Sequence, residues 1–280
     1  MKKNIFLFLF ISYTLFSQNV VTTGPEKGSL IIVGGGRVGS EITERFIELA
    51  GGKDAAIVVI PTASGGNIDT DNVWFAKQLK KYGATKVTVL HTYSKEIANS
   101  NAFLTPLKEA NAVWFGGGRQ WRLVDAYAGT KTEKMLWDIL ERGGVIAGSS
   151  AGATIQGSYL ARGDTKNNQI MMGDHEEGFG FIKNIAIDQH VLARNRQFDM
   201  FTILKNRSEL LGIGIDESTA IVVKKNAFEV IGKSKVLIYD GTFWSREGSR
   251  LKKLPNKEQL FYFLQSGDRY DLAKRKVIPN

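Results

Sequence analysis

The sequence predicts an α/β protein: an open, mostly parallel sheet with helices on both faces, plus a more antiparallel C-terminal part. Three observations predict it. Runs that are apolar throughout, rather than alternating, recur in the first half of the chain, at 30–33, 55–60, 112–115 and 145–147, with 87–90 apolar but for Thr88. Strands of that kind are covered on both faces, as in parallel sheets. Segments with helical spacing lie between most of them, the order expected of an open α/β sheet. Beyond about residue 155 the strand-like runs follow one another across short connections, as in hairpins and meanders.

Taken in order, the first strand (30–33) runs into Gly34-Gly35-Gly36-Arg37-Val38-Gly39. Segment 41–49 puts Ile42, Phe46 and Leu49 on one helical face and stops at Gly51-Gly52. The 55–60 run is the second strand, and a helix at 73–82 stops at Gly83. Runs 87–90, 112–115 and 145–147 read as further buried strands, with helices at 121–127 and 133–141 between the last two. In the second half, 169–172, 185–191, 212–215, 220–224, 228–231 and 236–239 are strand-like, and the tail from Ser245 is polar without a clear period. There is no internal repeat.

Lys2 and Lys3 precede an apolar run to Phe16, followed by Ser17 and Gln18. A basic start, a short apolar stretch and a small residue are the pattern of a secretory signal peptide. The run falls short of the roughly 20 apolar residues that span a bilayer. Residues 1–17 are therefore expected to be a signal peptide, with 18–280 as one α/β domain exported to the periplasm or medium. No stable membrane insertion is expected once the leader is removed.

Cysteine is absent, which excludes thiol nucleophiles, thiolate metal sites and a lipid-anchored leader. A chain of this length can be held by its core without disulfides. The formal charge is +9, but the late cations, such as Lys224, Lys225, Lys252 and Lys253, are scattered without interleaved aromatics. They read as a solvated face, so no nucleic-acid partner is expected. A homodimer is compatible with the sequence.

Residues 34–39 match G-x-G-x-x-G between a strand and a helix, the context of a dinucleotide site. Such a site also needs an acid after the next strand to hold the ribose. Here Ile60-Pro61-Thr62-Ala63-Ser64-Gly65 follows, and no acid occurs until Asp69. The glycines read as a tight turn, and no cofactor is expected.

Gly148-Ser149-Ser150-Ala151-Gly152 fits G-x-S-x-G with Ser150 at its centre. A serine on a sharp strand-to-helix turn projects its hydroxyl above the sheet edge. Small neighbours are needed because strand and helix approach closely there. The Ala151 N–H at the helix start can stabilise a developing oxyanion. The glycines of Gly116-Gly117-Gly118-Arg119-Gln120 leave approachable N–H groups after a strand, with Gly118 as a second donor and Gln120 adding a side-chain amide.

A hydroxyl nucleophile needs a base, and the chain has three histidines. His91 ends an early strand and reads as structural. His175 lies in the polar run Asp174-His175-Glu176-Glu177, which has oxygen ligands in a loop but is not read as a metal site. His190, leaving an apolar segment in Asp188-Gln189-His190-Val191, is the better base candidate. Glu217, which also follows a strand-like run, is a candidate orienting acid.

"GGGRQ", "GSSAGA", "DQHVLARNR" and "GIGIDEST" occur in this order. Together they resemble the cyanophycinase family of serine peptidases, related to the aspartyl dipeptidases, over about 28–240. The resemblance implies a fold like the class I glutamine amidotransferases. It implies Ser150 as nucleophile, His190 as base and Glu217 as orienting acid. It also implies a pocket lined by Gln120, Asp188, Gln189, Arg194 and Arg196. The implied substrate is cyanophycin, a poly-aspartate with arginine on each side chain, released as β-aspartyl-arginine dipeptides. Arg194 and Arg196 are two apart and would offer forked donors to a substrate carboxylate. Family members often carry arginine where Asp199 stands and phenylalanine where Val191 stands, so the departure bears on the substrate more than on the chemistry. Asp199 would bind a cationic group or pair with a neighbouring arginine. Two other readings fit the same residues: a peptidase for other acidic peptides, and a secreted binding protein without turnover.

Overall fold

A computed structural model describes residues 21–279; the expected signal peptide at 1–17 lies outside the described residues. The chain runs through β1 (Ser29–Val33), α1 (Ser40–Leu49), β2 (Ala56–Ile60), α2 (Trp74–Lys81), β3 (Lys86–Val89), α3 (Lys95–Ala98) and α4 (Asn101–Glu109). It continues with β4 (Ala112–Phe115), α5 (Trp121–Tyr127), α6 (Lys131–Glu141), β5 (Val145–Ser149), α7 (Ala151–Thr154), β6 (Gly157–Tyr159) and β7 (Ile182–Gln189). The remainder is α8 (Met200–Asn206), β8 (Leu211–Ile215), β9 (Thr219–Lys224), β10 (Ala227–Gly232), β11 (Val236–Tyr239), β12 (Tyr262–Leu264), β13 (Arg269–Asp271) and β14 (Lys276–Ile278).

Among the described residues the strands form two sheets. The larger has the order β14-β13-β10-β9-β1-β5-β4-β2-β3. Its half from β1 to β3 is parallel, and β9, β10, β13 and β14 add antiparallel neighbours. The smaller has the order β12-β11-β8-β7-β6. The apolar strands of the large sheet are buried on both faces. One face packs α4, α5 and α6 through Leu107, Leu123 and Leu136. The other packs α1 and α2 through Phe46 and Phe75, where Trp114 of β4 stacks on Phe75 and meets Phe46 edge-on at 5.5 Å between ring centres. Ser94, Ser100 and Thr130 cap α3, α4 and α6 by accepting a backbone N–H, each worth about 1 kcal/mol.

Several expectations are corrected. Residues 169–172 form no strand: the chain there is a series of turns held by Asp164 and Asn167 side chains accepting from nearby backbone N–H groups. The 87–90 run is an edge rather than a buried strand, because β3 ends the large sheet and leaves Lys86 and Thr88 exposed. The second half is a succession of hairpins only in part: β9–β10 and β13–β14 are antiparallel neighbours across short turns, but the strands before them are not. β6, β7 and β8 are parallel, and β7 crosses to β8 through the unforeseen helix α8. Helix α4 escapes the periodicity because Pro106 lies inside it, a residue that normally ends a helix.

β1 and β5 are adjacent and parallel. The helices that follow them go to opposite faces: α1 contributes Ile42 and Phe46 to one core and α7 contributes Ala151 and Ala153 to the other. A crevice therefore opens at the C-terminal ends of β1 and β5, the place where open α/β sheets bind ligands. Phe46 is fully buried within this arrangement. Phe46→Ala is expected to lose about 3–5 kcal/mol of stability, read as a lower urea midpoint with an unchanged slope.

Candidate active site

Ser150 sits between β5 and α7 at φ 57°, ψ −112°, a conformation that costs a non-glycine residue of order 1–3 kcal/mol. The surrounding fold enforces it. The Ser150 N–H donates to Val33 O at the end of β1 (3.0 Å), and the turn is thin. A Cβ on Gly148 would fall 2.3 Å from Gly152 O, and one on Gly152 would fall 2.3 Å from Phe115 O. Both serines line the crevice, but only Ser150 meets the histidine.

His190 arrives from the end of β7 and Glu217 from the end of β8. Glu217 Oε1 lies 2.6 Å from His190 Nδ1, and Ser150 Oγ lies 2.9 Å from His190 Nε2. A carboxylate beside Nδ1 keeps the proton on that nitrogen, which leaves Nε2 free to accept the serine proton. Burial pushes the His190 pKa below its usual value; the Glu217 hydrogen bond opposes this, while Arg194 and Arg196 add to it. The neutral form, the one able to act as a base, is thereby favoured.

The glycine run after β1 has a role that its motif does not suggest. Gly35 has φ +118° and Gly36 φ +64°. A Cβ on Gly35 would fall 2.2 Å from His190 Cε1, and one on Gly36 would fall 2.7 Å from Glu217 Oε2. The loop is also bonded to both partners' segments: His190 N–H donates to Gly34 O (2.8 Å) and Ser218 N–H to Gly35 O (2.9 Å). Asp216 completes the frame. Its Oδ1 accepts from the Leu192 and Ala193 N–H groups and its Oδ2 from the Ser234 hydroxyl, fastening the chain after His190 to the end of β8. The paired acids of "DEST" were the available signal for Asp216; the glycine loop had none beyond its apparent misfit as a dinucleotide site.

The expected pocket residues do not all converge. Arg194 is exposed and lines the crevice with Ser150 and His190. Arg196 is buried and donates to the backbone and side-chain oxygens of Gln189 (3.2 and 3.1 Å). The two guanidiniums therefore part, and no fork forms between them. Gln120 is buried, and its amide nitrogen Nε2 donates to Ala161 O and Arg162 O, so only its carbonyl oxygen is left without a protein partner among the described residues. Gly117, not Gly118, faces Ser150, with its Cβ direction 3.4 Å from Ser150 Cβ. At Gly118 the backbone turns (φ +140°) against Ala63 O, out of the crevice lining. Among the described residues, the N–H groups of Gly117, Gly118 and Ala151 all have no protein acceptor, so the expected Gly118 donor stays open beside Gly117.

Asp188 and Asp199 share one cation. Arg162, fully buried at the foot of this region, donates through Nε and Nη2 to the two Asp188 oxygens (2.7 and 2.9 Å) and through Nη2 to Asp199 Oδ2 (2.5 Å). Asp199 thus pairs with an arginine 37 residues away, and sequence reasoning, which singled out only Arg194 and Arg196, missed it. His91 bonds Thr62 Oγ1, away from the crevice. His175 lies between Asp125 and Asp174, and Glu176 reaches the Tyr159 hydroxyl.

The model of peptidase family S51 matches residues 30–231. A cyanophycinase of Geminocystis herdmanii is 33% identical over 225 residues, 77% of this chain and 81% of the relative. A cyanophycinase of Trichormus variabilis is 29% identical over 283 residues, 94% and 92% of the two chains. Among solved structures, a peptidase from an acI-B1 Actinobacterium superposes with a TM-score of 0.63 at 26% identity, over 90% of this chain and 98% of that one. A putative peptidase E protein of Listeria monocytogenes, at 17% identity and TM-score 0.51 over 74% and 99% of the chains, shares the fold. With an elbow serine, a histidine and a carboxylate in one hydrogen-bonded line, and with these relatives, the chain belongs to peptidase family S51, the family of the cyanophycinases, and is a serine-type peptidase.

Proposed function

We propose that the chain is an exported exopeptidase that hydrolyses cyanophycin to β-aspartyl-arginine dipeptides through Ser150, His190 and Glu217. The observation that carries this reading is the unbroken line Oγ–Nε2 and Nδ1–Oε1 at 2.9 and 2.6 Å, with the likeness to cyanophycinases pointing to the substrate. Release of a β-linked dipeptide requires the backbone peptide bond between aspartyl units to break while the side-chain amide survives. Ser150 Oγ attacks that backbone carbonyl carbon as His190 Nε2 takes its proton, and Glu217 stabilises the imidazolium. The oxyanion would be held by the N–H group of Ala151 together with one from the Gly117-Gly118 turn, none of which has a protein acceptor among the described residues. His190 returns the proton to the leaving amine, and water cleaves the acyl-enzyme by the reverse route. The basic and apolar start of the chain supports export.

Incubating the protein with cyanophycin and identifying the products by mass tests the proposal; dipeptides are expected, and intact polymer would overturn it. In the same assay Ser150→Ala should lose on the order of 10³-fold or more, with Ser149→Ala mild by comparison.

The acid limb of kcat/KM should fall below pH 6.5, the ordinary histidine value. Protonation of His190 removes the base, so activity drops as pH falls through its pKa. Arg194→Gln removes a neighbouring cation, so the pKa rises and the limb should move to higher pH.

Gly35→Ala should lower kcat/KM by about 10²-fold by displacing the imidazole. Gly39→Ala, with open space at its Cβ position, should stay within about threefold, provided circular dichroism shows both variants folded.

A further inference from the structure

The crevice above Ser150, about 420 Å³, does not end at the catalytic residues. Gly36, Val38 and Trp74 line it on one side and also line a second open groove of about 670 Å³. The two adjoin, sharing Gly36, Val38 and Trp74 as common walls. Trp74 opens α2 and is 55% exposed, although a tryptophan ordinarily hides more of its surface.

The charges along the crevice and the groove are of one sign. Arg194 stands beside Ser150, and Arg37, Lys77 and Lys81 stand along the groove. No aspartate or glutamate lines either part. Among the described residues, none of the four cations has a carboxylate within salt-bridge distance. Lys77 donates to Asn72 Oδ1, and Asn72 in turn donates to Asp69, so its charge is at most partly offset. Other cavities mix the signs: Glu26 and Glu141 face Lys27 in one, and Asp125 faces Arg122 in another. A row of unpaired cations in a concave groove raises the local concentration of anions and orients them.

From this we infer that the groove of Arg37, Trp74, Lys77 and Lys81 is an extended substrate subsite for a run of carboxylates. It would bind the part of an acidic polypeptide chain that continues beyond the bond held at Ser150. The inference rests on the reading of Ser150 as the hydrolytic centre. The carboxylates could belong to an α-aspartyl backbone stretch or to the arginyl carboxylates of cyanophycin. The absence of acids along the crevice and the groove favours the first, since cyanophycin brings a guanidinium with every carboxylate.

The test uses full-length Ser150→Ala, which binds without turnover, and a fluorescein-labelled α-L-aspartate decamer read by anisotropy. Saturable binding that weakens with salt is expected. Unlabelled decamer should compete better than cyanophycin of equal length, and a Gly-Ser decapeptide should not compete. Adding Lys77→Glu and Lys81→Glu should weaken binding at least tenfold. Lys252→Glu with Lys253→Glu, the same charge change on the exposed tail, should alter it less than twofold. If the groove variant unfolds, Lys77→Gln with Lys81→Gln replaces it, with a smaller loss expected. The inference is overturned if the decamer does not bind, if both charge variants weaken it equally, or if the groove variant has no effect. Decamer binding by an enzyme that leaves cyanophycin intact would support the groove while removing the cyanophycin reading, so the two failures are distinguishable.

Discussion

The imidazole of His190 packs on bare backbone at Gly35, where a single methyl would fall 2.2 Å from its ring. That contact requires four strand ends to meet. β1 supplies the glycine loop, β5 the strained serine, β7 the histidine and β8 the carboxylate. The first two belong to the large sheet and the last two to the small one. The site is therefore a joint between two sheets. The backbone bonds from His190 N to Gly34 O and from Ser218 N to Gly35 O hold that joint together. Left-handed conformations at Ser150, His190 and Ser218 show where the fold absorbs strain to bring them into line.

A second layer of polar structure supports the joint from below. Arg162, itself at φ 59°, is held by Asp188, Asp199 and the Asn168 carbonyl. A buried charge is tolerable when its hydrogen bonds are filled, and removing one partner leaves an uncompensated charge. Asp188 is the penultimate residue of β7, two before His190, so the ion cluster sits at the end of the strand that delivers the histidine. Asp199 precedes α8 and belongs to the same cluster. Its carboxylate is thus engaged with the protein, and the cation left facing the crevice is Arg194.

Much of this was legible in the chain. The all-apolar runs located β1, β2, β4 and β5 because burial on both faces leaves no polar alternation. The serine elbow was readable because its constraint is local: only small residues fit where Gly148 meets Gly152. Glycine stops marked the ends of α1 and α2. Where local signals conflicted, the reading failed. Pro106 disguised α4, and turn-forming Asp164 and Asn167 overrode the apolar texture of 169–172. The tail strands β12, β13 and β14 are three residues each, too short to show a period.

What the sequence determined by itself was the kind of the strongly periodic elements and the chemical type of the nucleophile, because helix and strand periods and turn sterics depend on neighbours in the chain. What tertiary structure alone decided was which groups face one another. Gln120 spends its amide nitrogen on Ala161 and Arg162, Arg196 turns inward to Gln189, Asp199 meets Arg162, and Gly35 touches His190 rather than a cofactor. Such partnerships join residues up to 155 positions apart for Gly35 and His190. They follow from strand order and from the closeness of two sheets, which no local pattern encodes.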